Sequence, residues 1–505
     1  MRNPLLRLAL CAVLLFGLAP AARATWSVIL VNRVTGEVVV AGATCLQNLD
    51  LQLFLPVIRV GHGGACAQSL IDSGANNRKK IWTGFQSGQT PAQILSLLAA
   101  TDIQHKSRQY GIVDRFNPPV GFTGNSAGAG KLDLSGTFGD WSYSVQGNVL
   151  TGPQVVQALQ TALLQTNGDG GQKVMAAMQA AYALGGDGRC SCSSSAPTSC
   201  GVPPASFTKS AHVGFLQIAR VGDSDGVCTG ALGCANGQYF LDLNVIGSVA
   251  APDPVLTLQG LYDAWRAGRI GLPDQLTSTL SADVERLVAD GQSGAWIEIQ
   301  LADIDGQPLA AGGLSIGVAS ATGGALLGSL GPIEDLGAGR YRLRYTAGQA
   351  AGLERLRVSV AGAGPTVVLQ PDLELPIDPL MPLHSGFSAV SAGAGANVPL
   401  TLNLGPSEGF LLLGSAAGTQ PGLQLPFGLL PLNYDAILEA TLLGPNSGPL
   451  QGTLGSTAPS GWAQARILTQ PGALLALVGL RLDWAAVRLS PQPSAVGPAG
   501  FAILP

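Results

Sequence analysis

The stretch "TWSVILVNRVTGEVVVAGA", residues 25 to 43, limits the possible folds of this chain more than any other. Two apolar runs, "TWSVILVN" and "EVVVAGA", flank the turn "RVTG". A strand with one wet face alternates apolar and polar residues. These runs are nearly continuous, so both strands need cover on both faces. The sheet they form must sit inside a layered fold. Helical patterns supply the cover. "TPAQILSLLAA" carries Thr90 as N-cap and Pro91 in its first turn. "TGPQVVQALQTALLQ" and "QKVMAAMQAAYAL" read as helices, the second ended by Gly185 and Gly186. "DPVLTLQGLYDAWRAG" reads as a closing helix. "GACAQSLI", "RQYGIVD", "WSYSVQGNVL", "AHVGFLQIAR" and "YFLDLNVIG" read as strands. Helices arrive in pairs between strands. That order favours a layered α/β sandwich over residues 25–272 rather than an alternating doubly wound sheet.

The pattern then changes to short strands and turns. Residues 277–372 hold "AWIEIQLADIDGQPL", "GLSIGVAS", "GRYRLRYTAG" and "ERLRVSVAG", spaced as in a β-sandwich. The proline-punctuated "PDLELPIDPLMPLHSG" links them to residues 387–505, expected to be a second β domain. Its strands are read at "VPLTLNLG", "FLLLGSAAG", "YDAILEATLL", "ARILTQP" and "VGLRLDWAAV". The apolar run "GALLALVGL", 472–480, has the length of a strand. With 69 Gly and only 11% charged residues, against about 25% in ordinary soluble domains, the composition suits β-rich architecture.

Residues 1–24 read as a secretory signal, with Arg2 and Arg7 before the apolar "LALCAVLLFGL" and the small-x-small triplet Ala22-Arg23-Ala24 at the end. No later run reaches membrane length, so the expectation is a secreted or periplasmic protein without a membrane span. Loss of that segment leaves 24 basic against 31 acidic residues. The absence of a basic run argues against a nucleic-acid partner. Export makes disulfides the default for Cys45, Cys66, Cys190, Cys192, Cys200, Cys228 and Cys234. Short bridges are expected among the last five, with Cys228–Cys234 foremost, and Cys45 is placed within reach of Cys66. The odd count leaves a thiol over or a bridge to another chain. A metal reading of the cysteine cluster lacks a C-x-x-C pair and has only His212 interleaved. No metal and no cofactor is expected. "GNSAG" (124–128) and "GLSIG" (313–317) match the nucleophile-elbow pattern without its strand–helix context, and "DSDG" and "DIDG" lack a calcium loop's distal Glu. The first two are read as chance matches, "GLSIG" lying inside a β segment, and the last two as turns.

Cleavage after Ala24 would make Thr25 the first residue. A threonine hydroxyl is a weak nucleophile until a base takes its proton. A free α-amine, which titrates at about 7.7 to 8.0 in simple peptides, supplies that base within the same residue. The blocks "TWSVILVNRVTGEVVVAGA", "GACAQS", "FQSGQTPAQILSLLAATD", "RQYGIVD", "FTG", "VQGNVLTGPQVVQAL" and "GGDGR" run in the order of a family of Ntn-hydrolase-like proteins of unknown function, which this segment resembles. The resemblance implies an αββα four-layer sandwich and amide-bond hydrolysis by an N-terminal nucleophile. It supplies no substrate beyond a small-molecule or peptide amide. Asn148, at a strand end, is a candidate oxyanion donor. Asp187, in a Gly-rich turn, is a candidate to orient the ammonium, with Arg189 fixing its carboxylate. Gln68 and Ser69 are further candidates. The family usually continues from this turn into a "QSAAL" strand. Here Arg189 runs into the insertion "CSCSSSAPTSCGVPP", a candidate disulfide-stapled flap. Thr25 is expected at an exposed strand end.

Residues 277–370 resemble an invasin-type bacterial Ig-like domain through "LSADVERLVADGQSGAWIEIQLADIDGQPL" and "GAGRYRLRYTAGQAAGLERLRVSV". Residues 387–505 resemble a C-terminal module of exported proteins of environmental bacteria through "FLLLGSAAGTQPGLQLP" and "LPLNYD". The first resemblance implies a spacer or adhesive module and the second carries no assigned activity; a cell-surface or matrix partner is expected through these C-terminal β domains. The second reading of the whole chain is therefore a non-catalytic extracellular scaffold or binding protein of the cell envelope.

Overall fold

A computed structural model describes residues 25–505, and the signal segment expected at 1–24 lies outside the described residues. The chain is mostly β-sheet with few helices. It divides between Gly268 and Arg269 into two compact units.

The first unit is built around β1 (Thr25–Asn32) and β2 (Val38–Thr44), the two apolar runs. Every residue of both strands is buried. They lie at the centre of a six-stranded antiparallel sheet in the order β10-β9-β2-β1-β8-β7. Its other strands are β7 (Leu132–Phe138), β8 (Trp141–Asn148), β9 (Val213–Ala219) and β10 (Leu241–Val245). A second antiparallel sheet has the order β3-β4-β5-β6, from β3 (Pro56–Arg59), β4 (Gly63–Ser69), β5 (Arg108–Asp114) and β6 (Val120–Thr123).

Alternation sorts the side chains of β1. Trp26, Val28 and Leu30 pack with Val155 and Leu159 of α3 (Gln154–Gln165), Met175 of α4 (Gly170–Ala183) and Leu258 of α5 (Pro254–Ala267). Ile29 and Val31 point the other way, into a core with Ile58, Cys66 and Val113 of the second sheet. The far face of that sheet packs Ala65 and Ile112 against Ile81 and Phe85 of α1 (Asn76–Gln86) and Ile94 and Leu98 of α2 (Pro91–Thr101). Each fully buried aliphatic or aromatic side chain contributes roughly 1.5–3 kcal/mol. Helix α2 begins as its sequence requires, with Thr90 and Gln93 forming a reciprocal capping box. The Gly185-Gly186 stop after α4 also has a packing reason. Gly186 has φ +53, and a Cβ there would lie 2.6 Å from the Trp26 ring.

The second unit is β-rich and holds two apolar cores. In the first, Ile297, Leu343 and Tyr345 of one sheet face Leu356, Val358 and Leu375 of another. In the second, Val398, Leu400 and Ile467 face Leu412, Trp484 and Phe501. Two expectations fail here. "YDAILEATLL" contains a helix, Ala436–Leu443, because Asp435 caps the Leu438 amide and Ala, Leu and Glu favour a helix over a strand. "GALLALVGL" forms a turn around the short 3₁₀ segment Leu475–Leu477, with Leu475 60% exposed.

The cysteines pair as Cys45–Cys190, Cys192–Cys200 and Cys228–Cys234, and Cys66 keeps a free thiol. The expected reach of Cys45 to Cys66 is corrected. Cys66 points into the core between the sheets, whereas Cys45 leaves the end of β2 toward the loop before Cys190. Burial pushes the Cys66 thiol up to about 12, so it stays protonated and inert. The Cys45–Cys190 bridge spans 145 residues of sequence against 8 for Cys192–Cys200. By chain entropy the long loop stabilises by about 5 kcal/mol and the short one by about 2.5 kcal/mol. Replacing Cys45 and Cys190 with Ala is therefore expected to lower the unfolding free energy about twice as much as replacing Cys192 and Cys200. Denaturant titration of the two double variants checks this, and equal losses would contradict it.

Candidate active site

Thr25 opens β1 and is paired across the sheet with Asn148, the last residue of β8. On its other side, Thr44 follows the last registered pair, Trp26 with Ala43, by one step. Alternation puts Thr25, Thr44 and Asn148 on the same face, toward the second sheet. The structure corrects one expectation: Thr25 is buried, with 2% of its surface exposed, and is not at a wet strand end.

A seam of neutral polar side chains runs between the sheets beneath this point. Gln68 donates from Nε2 to the Thr25 carbonyl (3.0 Å) and to Gln109 Oε1 (2.7 Å). Ser27 donates to Gln68 Oε1 (2.7 Å), and Gln146 donates to Ser27 Oγ (2.5 Å). Ser144 donates to Gln146 Oε1, and Gln109 donates to Thr123 Oγ1 and the Gly147 carbonyl. Apart from the half-buried Thr123 these groups are buried, so an unmade bond among them would cost about 1–3 kcal/mol. Linked donors and acceptors fix the start of β1 without placing a net charge in the core.

Asn148 and Ser69 converge on a third element. Asn148 Nδ2 donates to the Ala127 carbonyl at 3.1 Å, and Ser69 Oγ donates to the same oxygen at 3.3 Å. Ser69 has φ +74 at the end of β4, and Val149, just after Asn148, has φ +54. The "GNSAG" turn set aside as an elbow thus supplies the carbonyl on which two candidate residues meet.

Asp187 is fully buried and caps the four-residue helix Gly188–Ser191. Arg189 holds its carboxylate on both oxygens, through Nε to Oδ1 (3.1 Å) and Nη2 to Oδ2 (2.8 Å). The Arg189 amide donates to Oδ1 and the Cys45 amide to Oδ2. Four donors fill this carboxylate, so Asp187 positions Arg189 and Cys45 rather than offering itself to an amine. Arg189 Nη2 in turn reaches Thr44 Oγ1 at 3.3 Å. The Cys45–Cys190 bridge ties the same two loops covalently.

The structure thus places Thr25, Asn148, Gln68 and Ser69 at one end of the paired sheets, and brings Asp187 and Arg189 against Thr44 and Cys45 at the end of β2. Sequence reasoning missed Thr44, Ala127 and the glutamines Gln109 and Gln146. The signal for the seam was present in "WSYSVQGN", where every second residue, Ser142, Ser144, Gln146 and Asn148, is polar within a buried strand. His212 lies beside the bridge, one of its ring nitrogens and the sulfurs of Cys45 and Cys190 falling within 4.8 Å of one another. Those sulfurs are joined in a disulfide, so no thiolate is offered to a metal there.

Comparison with known proteins identifies both halves of the resemblance. Residues 25–198 match a family of unknown function (DUF1028), and residues 274–370 match invasin, domain 3. The family match ends inside the cysteine insertion, short of the 272 read from the sequence blocks. No curated protein matches the chain. Among solved structures, protein SPO2555 from Silicibacter pomeroyi, of the same family, is 16% identical, with 48% of this chain and 85% of that chain covered and a TM-score of 0.34. The Yersinia pseudotuberculosis adhesin InvE is 17% identical over 45% of this chain and 58% of its own, with a TM-score of 0.18. The Escherichia coli adhesin FdeC is 10% identical over 97% and 99%, with a TM-score of 0.19.

Burial lowers the His212 pKa below its ordinary 6.5, Lys209 adds to the lowering, and Asp187 opposes it. The unfolded chain therefore takes a proton near pH 6.5 that the folded protein refuses. The contribution of neutral His212 is complete above that pH and is lost as the pH falls toward the lowered value. His62, His105 and His384 are lowered by burial too and act in the same direction. His212→Gln is expected to reduce, without abolishing, the stability loss between pH 7.5 and pH 5. Urea midpoints across that range check this, and an unchanged slope would contradict it.

Proposed function

We propose that this is an exported amide-bond hydrolase in which Thr25, freed by signal cleavage, is an N-terminal nucleophile. On this reading residues 25–272 form an αββα sandwich of the Ntn-hydrolase kind, and residues 277–372 and 387–505 are two β-sandwich domains that hold the enzyme at a surface. The packing of a helix group on the outer face of each of two facing sheets supports the first assignment. The invasin match and the β-rich second unit support the other. The three disulfides suit an oxidising compartment, in keeping with export.

One observation carries the reading. The first residue after the cleavage triplet is a buried threonine on the central strand, its carbonyl fixed by Gln68 and its strand neighbour the amide side chain of Asn148. In the reaction the Thr25 amine takes the proton from Oγ, and Oγ bonds to the substrate carbonyl carbon. Asn148 donates to the resulting oxyanion. The amine then passes the proton to the departing nitrogen as the C–N bond breaks, leaving an ester on Thr25. Water, deprotonated by the same amine, hydrolyses that ester. Asp187 is a positioning residue. It sets the Arg189 guanidinium beside Thr44, where a cation favours the neutral, basic form of the nearby amine.

The test uses mature protein, a broad library of amides and peptides, and an electrophile that acylates the activated threonine hydroxyl, the adduct being read at the side chain and not at the amine. Thr25→Ala is expected to abolish turnover and adduct formation, a loss of at least about 10³-fold. Thr25→Ser keeps part of both, because hydroxyl and amine remain. One added residue before Thr25 is expected to damage activity as much as Thr25→Ala, since the base becomes an amide. Equal labelling of native, unfolded and extended protein would overturn the assignment. The scaffold would then be the function.

A further inference from the structure

We infer a second binding site in the first unit, a cleft for a flat organic carboxylate at the end of the sheets remote from Thr25. The cleft has a volume of about 470 Å³, and Arg33, Arg115, Phe116, Thr137 and Ser142 are among the residues that line it. Arg33 follows β1, eight residue steps from Thr25, a separation of roughly 26 Å at about 3.3 Å per step. It is therefore distinct from the candidate active site.

Two guanidinium groups converge here without a counter-ion. Among the described residues neither Arg33 nor Arg115 makes an ion pair. Both are nonetheless held. Arg115 donates from Nη2 to the Val34 carbonyl (2.6 Å) and from Nε to the Arg33 carbonyl (3.3 Å), and Arg33 donates to the Gly139 carbonyl. A guanidinium has five N–H donors, so each keeps donors for a ligand. The neighbouring carboxylate, Asp114, is turned inward. It accepts from the amides of Phe116 and Asn117 and from Asn117 Nδ2, and so builds the turn that presents Arg115 and Phe116. Ser142 lies at the cleft floor, fully buried, with an Oγ that has no partner among the described residues. A buried hydroxyl left unpaired is costly unless a ligand or water completes it.

The apolar side of the cleft defines the rest of the ligand. Phe116 is 67% exposed and offers its ring to the cleft. The Arg115 guanidinium lies 5.3 Å from its centroid, and Pro118 and Pro119 continue the surface. A planar carboxylate fits both halves, with its oxygens on the arginine forks and its ring or chain against Phe116. A bare inorganic anion would use only the first half.

The experiment is a saturation-transfer NMR titration of the mature full chain with benzoate, using benzamide and inorganic phosphate as comparators. Benzoate is expected to bind at least 10-fold more tightly than benzamide, and phosphate to displace it only at 10-fold higher concentration. Arg33→Gln, on an exposed residue, is expected to weaken benzoate at least 10-fold, and Phe116→Ala to weaken benzoate while sparing phosphate. Thr25→Ala is expected to leave benzoate binding unchanged, which separates this site from the proposed catalytic one. Equal binding of benzoate and benzamide, equal displacement by phosphate, or an unaltered Arg33→Gln would each overturn the proposal.

Discussion

In the first unit, β1 is buried on both faces yet begins with a polar residue, and the rest of the unit is arranged around that strand. The apolar part of the strand is accommodated by alternation, with Trp26, Val28 and Leu30 against the helices and Ile29 and Val31 against the second sheet. The polar start cannot be accommodated that way. It is met by Gln68, Gln109, Gln146, Ser27 and Ser144, whose amides and hydroxyls are linked across the gap between the sheets. A charged residue in this seam would carry a desolvation cost of several kcal/mol, whereas neutral amides donate and accept at little penalty once paired.

Around that fixed strand, the ends of β4, β8 and β2 bring in the remaining groups. Charge enters through Asp187 and Arg189. There the carboxylate is filled by four donors and the loop is tied by Cys45–Cys190. The arrangement separates two tasks. The seam sets the backbone of Thr25, and the disulfide-tethered loop sets the guanidinium beside Thr44. The cleft at Arg33 and Arg115 stands at the other end of the same strand, so β1 spaces the proposed ligand cleft from the candidate active site.

Much of this was legible in the sequence because the signal was local. The continuous apolar runs at 25–43 marked the central hairpin, and Thr90-Pro91 marked a helix start. The helix Asn76–Gln86 carried no such mark. Its N-cap, Ala75, has no capping side chain and adopts φ +58, and the segment begins with Asn, Arg and Lys. Its buried Ile81 and Phe85 acquire meaning only against the second sheet. The helix at 436–443 was concealed by Leu and Ile, which read equally well as strand until Asp435 is seen to cap it. Cys45–Cys190 joins residues 145 apart, a contact that only the fold brings about. The candidate residues were legible as strand ends and Gly-rich turns. The filling of Asp187 by four donors, and the burial of Thr25, were not, because both arise from loops distant in sequence.

The proposed chemistry stands or falls on Thr25 acting with its own free amine. N-terminal sequencing, with intact mass, of the protein recovered after export measures this directly. The expected chain begins at Thr25. A mature chain that began at Ala22 or Trp26 would overturn the proposal, because the hydroxyl and the amine would then no longer belong to one residue.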